Sequence, residues 1–84
     1  MEANREMMIQ IAEIIINELK LEDVTPDAFD TDLNLVDELG IDSMDLTTVV
    51  LVLQDKYKIR IDEDDFPRLT NVRKIADYIR DATA

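Results

Sequence analysis

The sequence predicts an all-α fold, a small antiparallel bundle of three main helices plus one short helix, formed as a single domain over residues 1–84. Apolar residues recur at helical spacing within residues 3–20, within residues 43–58, and from Val72 to Ile79. A chain of 84 residues fits one domain. Such a domain buries only about 60–65% of the surface that its unfolded chain exposes. We therefore expect a thin core without room for a deep preformed active site.

The first helix is predicted over residues 3–20, and its apolar face comprises Met8, Ile11, Ala12, Ile15 and Leu19. Residues 21–42 are predicted to be a long ordered connection with at most one helical turn, at Pro26. Gly40, the only glycine, is expected to take a backbone conformation that other residues resist. Apolar residues that could hold the connection against the core are Val24, Phe29, Leu33, Leu35 and Leu39.

The second helix is predicted over residues 43–58. Met44 and Leu51 lie outside its core-facing side and form a second, partly apolar face. The β-branched run 47–50 would also suit a strand, but helical spacing across the whole segment favours a helix. The residues expected to face the core are Leu46, Val49, Val50, Leu53 and Tyr57.

A short helix and the last main helix are predicted in the final third of the chain. After a short extended piece at residues 59–61, Asp62 can cap one brief turn, which Pro67 should stop. The last helix should begin after Thr70 or Asn71. Its predicted core residues are Val72, Ile75, Ala76 and Ile79.

The composition excludes several classes of function. The chain has 20 acidic and 9 basic residues, a formal net charge of −11, so nucleic acid is excluded as a partner and a basic protein is expected. No histidine is present, which removes the commonest general base and every Ser–His pair, so we predict no catalytic residues and no enzyme. No cysteine is present either, so no disulfide and no cysteine-ligated metal is expected. The acidic run from Asp62 does not fit a calcium loop, because its sixth and twelfth positions are Pro67 and Arg73.

The expected location rests on two signals that the sequence lacks. No apolar run approaches the roughly 20 residues that a membrane-spanning helix needs. The N-terminus shows no charged region followed by an apolar one, as a secretory signal would. We therefore expect a cytoplasmic protein that does not insert into membranes. We also expect it to be a monomer.

Acidic residues are concentrated in the middle of the chain. No lysine or arginine occurs between Leu21 and Asp55, whereas this stretch holds ten acidic residues. One interpretation is a solvated surface that keeps the protein soluble. The other is a docking face for basic partners, which the clustering of acids around a single motif favours.

That motif runs from Asp37 to Leu46 and places a serine, Ser43, after a glycine-containing turn at a predicted helix start. The first amides of a helix have no intrahelical acceptor, and this end bears about half a positive charge. A phosphate attached to Ser43 would therefore be stabilised locally. The simpler interpretation is that Ser43 or Asp42 only caps the helix.

The segment Gly40-Ile41-Asp42-Ser43-Met44 resembles the attachment motif of acyl carrier proteins, commonly Asp-Ser-Leu after a glycine. The resemblance extends along nearly the whole chain, and it implies an acyl-carrier-like bundle. It also implies that a phosphopantetheinyl transferase attaches 4′-phosphopantetheine from coenzyme A to Ser43. The thiol of this cofactor would carry an acyl chain as cargo to acyltransferases and synthases with basic docking patches. The partner-recognition residues that it implies are Asp42, Met44, Asp45, Leu51 and Asp55.

The resemblance also implies an acyl pocket, although each of its residues could equally be ordinary core. Thr48 and Gln54 stand where the family often has acids, and Phe66 stands where it often has a small residue. The resemblance implies a carrier for fatty-acid, polyketide or related lipid biosynthesis. These departures argue against a housekeeping role in fatty-acid synthesis and leave room for a specialised carrier, for example in polyketide, unusual-lipid or other acyl-transfer pathways. The predicted pocket residues are Leu53, Tyr57, Ile61, Phe66, Leu69 and Ile75.

Two other functions stay open at this point. A peptidyl or aminoacyl carrier of nonribosomal peptide assembly would use the same serine, although the strong acidity favours an acyl carrier. A plain acidic protein-interaction module would need no modified serine at all.

Overall fold

The computed structural model describes the backbone of residues 2–83 and the side chains of residues 5–83. The main helices are α1 (Glu2–Leu19), α3 (Ser43–Tyr57) and α4 (Val72–Thr83), with a short helix, α2 (Leu35–Leu39), before α3. Two 3-10 helices, Pro26–Ala28 and Glu63–Arg68, lie in the connections. No strand occurs among residues 2–83, so the predicted all-α bundle is confirmed and the alternative of a strand at residues 47–50 is wrong.

One hydrophobic core joins the three main helices, because α1 packs against both α3 and α4. Full burial of an aliphatic side chain contributes about 1.5–3 kcal/mol, so this core supplies most of the stability of the domain. Met8, Leu19, Leu46 and Tyr57, also predicted to face the core, are only partly buried at its margin. The buried residues of the three helices are Ile11, Ala12, Ile15, Val49, Val50, Leu53, Val72, Ile75, Ala76 and Ile79.

The connection between α1 and α3 contains more helix than its sequence predicts. The turn at Pro26 is present, but α2 was missed. The Asn34 side chain caps α2 by accepting hydrogen bonds from the amides of Val36 (3.0 Å) and Asp37 (2.9 Å). Gly40 ends α2 in the left-handed conformation, with φ 69°, as expected for the only glycine. A helix of five residues is too short to show periodicity, so only these two end signals could have revealed it.

The same connection is fastened to the start of α4. The Leu35 amide donates to the Thr70 carbonyl (2.8 Å), and the Arg73 amide donates to the Thr31 carbonyl (3.1 Å). The Arg73 guanidinium also donates through Nε to Oδ1 of Asp32 at 2.7 Å. These bonds hold the segment that leads into α2 against the start of α4.

The Asp32–Arg73 pair predicts a specific dependence of stability on pH. The hydrogen bond from Arg73 holds the pKa of Asp32 below its ordinary value. A carboxyl whose pKa is lowered by folding stabilises the fold above its unfolded pKa and loses that contribution as the pH falls through the folded value. Asp32→Asn should therefore be less stable than the wild type at about pH 7, and the difference should shrink towards about pH 3.

Urea midpoints of both proteins at the two pH values measure this difference. Asp23→Asn is the matched control, because it removes the same charge from the same connection without touching Arg73. If the two variants behave alike at both pH values, the pair contributes nothing to stability.

The segment after α3 confirms the short helix but corrects its bounds. Asp62 precedes the 3-10 helix as predicted, yet its side chain makes no capping hydrogen bond. The helix also continues through Pro67 to Arg68, because a proline near the end of a short 3-10 helix removes little hydrogen bonding. At the start of α4, Asn71 is the cap rather than Thr70, since its Oδ1 accepts from the Lys74 amide at 2.8 Å.

Lys58 ends α3 in the left-handed conformation, with φ 57° and ψ 45°. This conformation costs a residue with a Cβ about 1–2 kcal/mol, and glycine avoids that cost at some expense in unfolded-state entropy. Lys58→Gly is therefore expected to raise the free energy of unfolding by about 0.5–1 kcal/mol. The matched control, Lys56→Gly, removes the same charge within the last turn of α3 and should destabilise by about 1 kcal/mol. Chemical denaturation measures both, and a loss of stability in Lys58→Gly would contradict the expectation.

Candidate functional site

Ser43 is the first residue of α3, and its side chain is exposed. Asp42 caps the helix, because its Oδ1 accepts from the Asp45 amide at 2.9 Å. Of the two caps that the sequence allowed, the structure therefore selects the aspartate. No hydrogen bond among residues 5–83 involves the Ser43 hydroxyl, so its oxygen is available at the surface.

The surroundings of this hydroxyl partly favour a phosphate. The first bond of the helix runs from the Leu46 amide to the Asp42 carbonyl (3.0 Å), so the amides of Ser43 and Met44 have no acceptor within α3. These amides and the helix dipole attract a phosphate, whereas the carboxylates of Asp42 and Asp45 repel it. The helix start therefore offsets part of the repulsion that an acidic protein exerts on a phosphodiester.

The turn between α2 and α3 determines where Ser43 lies. After Gly40 reverses the chain, Ile41 is buried with only 4% of its surface exposed, and its amide donates to the Leu35 carbonyl at 3.3 Å. Leu46, one turn into α3, packs against the same core. Apolar anchors on both sides of the helix start thus hold Asp42 and Ser43 outward.

The residues predicted to recognise partners lie along the exposed side of α3. Met44 and Leu51 have 77% and 58% of their surface exposed, which is unusual for large apolar side chains. Asp42 and Asp55 are exposed, whereas Asp45 is half-buried. The structure therefore places four of the five on α3 and the fifth, Asp42, at its cap.

Gln54 and Thr48 both use their polar groups in hydrogen bonds within the chain. Oε1 of Gln54 accepts from the Ile61 amide at 2.7 Å, so this side chain ties down the segment after α3. The Thr48 hydroxyl donates to the Met44 carbonyl at 3.1 Å. Both polar groups therefore bond within the chain.

The six predicted pocket residues lie in or against the hydrophobic core. Leu53, Ile61, Leu69 and Ile75 are buried, while Tyr57 and Phe66 are half-buried and pack against them. The Tyr57 hydroxyl donates to Oε1 of Gln10 at 2.7 Å, and burial raises the pKa of this tyrosine. An open groove of about 790 Å³ between the second 3-10 helix and α4 includes Leu69 but none of the other five residues.

Two exposed apolar residues on α2 were not predicted from the sequence. Val36 and Leu39 have 51% and 36% of their surface exposed, although Leu39 was expected to hold the connection against the core. Phe29 and Leu35 are buried as expected, because the first turn of α2 directs Leu35 inward. Recognising the Asn34 cap and the Gly40 end as the two ends of one helix would have separated these roles.

Comparison with known proteins then identifies the family. A family described as the phosphopantetheine attachment site matches residues 10–79 of the chain. The chain belongs to the phosphopantetheine-bearing acyl carrier protein family. An acyl carrier protein of Syntrophobacter fumaroxidans is 35% identical over 75 residues, covering 87% of this chain and 86% of that protein. One of Renibacterium salmoninarum is 32% identical over the full length of both chains, and one of Streptomyces coelicolor is 34% identical over 76% of this chain and 70% of that protein.

Membership explains how a chain without cysteine or histidine takes part in acyl transfer. As an acyl carrier protein it is not an enzyme, and its cofactor is 4′-phosphopantetheine. The cofactor supplies the thiol that holds an acyl group as a thioester. The carrier therefore interacts with biosynthetic enzymes and carries acyl cargo between them. No helix among residues 2–83 has the length and apolar character required to cross a membrane.

Proposed function

We propose that Ser43 is the residue to which 4′-phosphopantetheine is attached. The observation that carries this proposal is the exposed Ser43 hydroxyl at the first residue of α3, left free because Asp42 supplies the cap. Ser43 is also the only serine of the chain. The Ser43 oxygen would form a new P–O bond to the phosphopantetheinyl phosphate of coenzyme A, while the pyrophosphate P–O bond breaks and adenosine 3′,5′-bisphosphate leaves. The serine proton would pass to a base of the transferase.

A loading assay tests this function. The purified protein, incubated with coenzyme A and a broad-specificity phosphopantetheinyl transferase, should gain the mass of one phosphopantetheinyl group. Supplying an acyl-coenzyme A instead should add the acylated group in a single step. An unchanged mass, while an unrelated carrier in the same mixture is loaded, would contradict the proposal.

The exposed side of α3 is proposed as the docking face for the transferase and for acyltransferases and synthases with basic patches. Support comes from Asp45 and Asp55, which lie on α3, and from Asp42, which caps its start. Complementary charge increases the rate at which such partners associate. The small number of acids on α3, and the structural use of Gln54, support a specialised carrier rather than a housekeeping one.

The acyl cargo is proposed to enter the core between α3 and the second 3-10 helix. Support comes from the position of Leu53, Ile61 and Ile75 in one continuous apolar core beside half-buried Phe66. A chain of CH₂ groups gains about 0.8 kcal/mol for each group that it buries. Methyl NMR shifts at Leu53 and Ile75 that grow with acyl length would support entry. Shifts confined to residues near Ser43 would exclude it.

We further propose that the chain acts as one monomeric domain in the cytoplasm. Support comes from the single core and from the net charge of −11, which opposes self-association. Light scattering that gives the mass of a dimer would contradict the monomer.

A further inference from the structure

We propose that Met44 is a site of reversible oxidation by hydrogen peroxide, and that its sulfoxide slows the loading of Ser43. The modification would make attachment of the cofactor depend on the redox conditions around the carrier. The effect on loading rests on the proposed function of Ser43, whereas the oxidation itself can be measured without it.

Methionine provides the only sulfur in this chain. The sequence has four methionines and no cysteine, and it also lacks histidine and tryptophan. Cysteine and methionine are the side chains whose sulfur peroxide oxidises, and cysteine reacts as its thiolate. Before the cofactor brings a thiol, no protein thiolate competes with methionine for the oxidant. Peroxide chemistry on the unloaded carrier is therefore directed to its thioethers.

Met44 is the methionine most accessible to an oxidant between residues 5 and 83. Its side chain lies at the surface with 77% of the residue exposed, whereas Met7 and Met8 are partly buried on α1 and pack against the hydrophobic core. Susceptibility to oxidation follows exposure. Hydrogen peroxide is uncharged, so the net charge of −11 does not keep it away from the acidic surroundings of Met44.

The oxidation transfers one oxygen atom and two electrons. A lone pair of the Met44 sulfur attacks one oxygen of hydrogen peroxide and forms the S–O bond. The O–O bond breaks, and the other oxygen leaves as water with both peroxide protons. Sulfur is thereby oxidised to the sulfoxide and peroxide is reduced. Methionine sulfoxide reductases reverse the change: a dithiol supplies two electrons and two protons, becomes a disulfide, and the oxygen leaves as water.

The position of Met44 connects its oxidation to the chemistry of Ser43. Met44 directly follows Ser43 in α3, so an enzyme that brings its active site to the serine oxygen also covers Met44. A sulfoxide oxygen is a strong hydrogen-bond acceptor that water satisfies while it is exposed. Covering it with a surface that accepts a thioether removes those hydrogen bonds without replacing them, which costs free energy. Oxidation should therefore weaken the association that precedes loading.

The fold should survive the modification. The Met44 side chain is exposed and does not belong to the hydrophobic core. Its carbonyl accepts from the Thr48 hydroxyl at 3.1 Å, and this bond does not involve the sulfur. A changed loading rate after oxidation would therefore report on the altered surface. An unchanged melting temperature of the oxidised protein checks this point.

Peroxide treatment of the intact protein, followed by trypsin, tests the site of oxidation. Cleavage after Lys20 and Lys56 releases a peptide of residues 21–56 in which Met44 is the only methionine, whereas Met7 and Met8 share the peptide of residues 6–20. The peptide with Met44 should gain one oxygen several times faster than the other gains its first. Oxidation of residues 21–56 at an equal or lower rate would overturn the site.

Steady-state loading by a broad-specificity phosphopantetheinyl transferase tests the functional effect, with coenzyme A in excess and the peroxide removed beforehand. Oxidation should raise the KM for the carrier about tenfold with kcat nearly unchanged, because the sulfoxide lies in the contact but not among the reacting atoms. Incubation with the two methionine sulfoxide reductases and dithiothreitol should restore the original KM. Met44→Gln, which places an amide oxygen at this position, should show a raised KM without peroxide.

The matched control is Met44→Leu, which keeps an apolar side chain of similar size but removes the sulfur. Its KM should not change on peroxide treatment. The double variant Met44→Leu/Ala82→Met moves an exposed thioether to α4. It should be oxidised by peroxide, and its KM should also stay constant.

The outcomes separate the two halves of the proposal. An oxidised wild-type protein that loads with its original KM would overturn the effect on loading. A KM that rises in peroxide-treated Met44→Leu would show that another residue is responsible, and would overturn the assignment to Met44. An untreated wild-type protein that is not loaded at all would overturn the proposed function of Ser43, while the tryptic peptides would still decide whether Met44 is the site of oxidation.

Discussion

Ser43→Ala is expected to abolish phosphopantetheine loading completely. The substitution removes the oxygen that would accept the cofactor, and the chain has no second serine to replace it. Stability should change by no more than about 0.5 kcal/mol, because Ser43 is exposed and Asp42 continues to cap α3. Intact-mass spectrometry after incubation with transferase and coenzyme A measures the loss, and thermal denaturation shows whether the fold survives.

The control for this variant is Thr25→Ala, which removes an exposed hydroxyl at the start of a 3-10 helix in the same acidic stretch. The Thr25 side chain makes no capping bond, so the fold should be unaffected. This variant should load to the same extent as the wild type. Partial loading of Ser43→Ala would show that another hydroxyl accepts the cofactor.

Leu53→Ala is expected to have the largest effect on stability. Leu53 lies at the centre of the core with 0% of its surface exposed, in contact with the cluster that joins all three main helices. Truncating a buried leucine costs about 2–5 kcal/mol, through lost apolar burial and the cavity that remains. For a domain of this size, each kcal/mol lowers the melting temperature by about 4–8 °C. The melting temperature should therefore fall by at least about 8 °C.

Leu51→Ala is a closely matched control for this prediction. It makes the same chemical change two residues earlier in the same helix, where the side chain is 58% exposed. Its free energy of unfolding should change by no more than about 0.5 kcal/mol. Equal destabilisation by the two variants would mean that the buried and exposed faces of α3 have been assigned wrongly.

The main helices and most of their core faces could be predicted from the sequence, because a periodic signal over 12 to 18 residues is hard to produce by chance. Ile11, Ile15, Leu53 and Ile75 were all predicted to face the core, and all are buried. The residues at the edge of the core were predicted less well. Tyr57 was assigned to the core, yet it is half-buried because its hydroxyl reaches Gln10.

α2 could not be predicted from periodicity, since it has only five residues. Its consequences for the site were therefore missed as well. Leu39 was expected to hold the loop against the core, but the helix turns it outward beside Val36. Whether an apolar residue of this connection faces the core or the solvent therefore depends on its position in one turn of helix.

At the helix start, two adjacent residues were both suitable caps, and their order in the sequence did not decide between them. The backbone of Asp42 is extended, with φ −95° and ψ −179°, which makes it the capping position and places Ser43 inside the helix. This difference of one residue decides whether the serine hydroxyl is occupied or free. The position of Ser43 in the motif was predictable, but its freedom from hydrogen bonds depends on the folded geometry.

Localising the added mass within the loaded wild-type protein tests the assignment of Ser43 most directly. Because no lysine or arginine occurs between Leu21 and Asp55, trypsin should release a single peptide of residues 21–56 that contains Ser43 and four threonines. Fragment ions ending at Asp42 should have unmodified mass, and those that include residue 43 should carry the phosphopantetheinyl group. Added mass on a threonine, or on a peptide that lacks residue 43, would contradict the assignment.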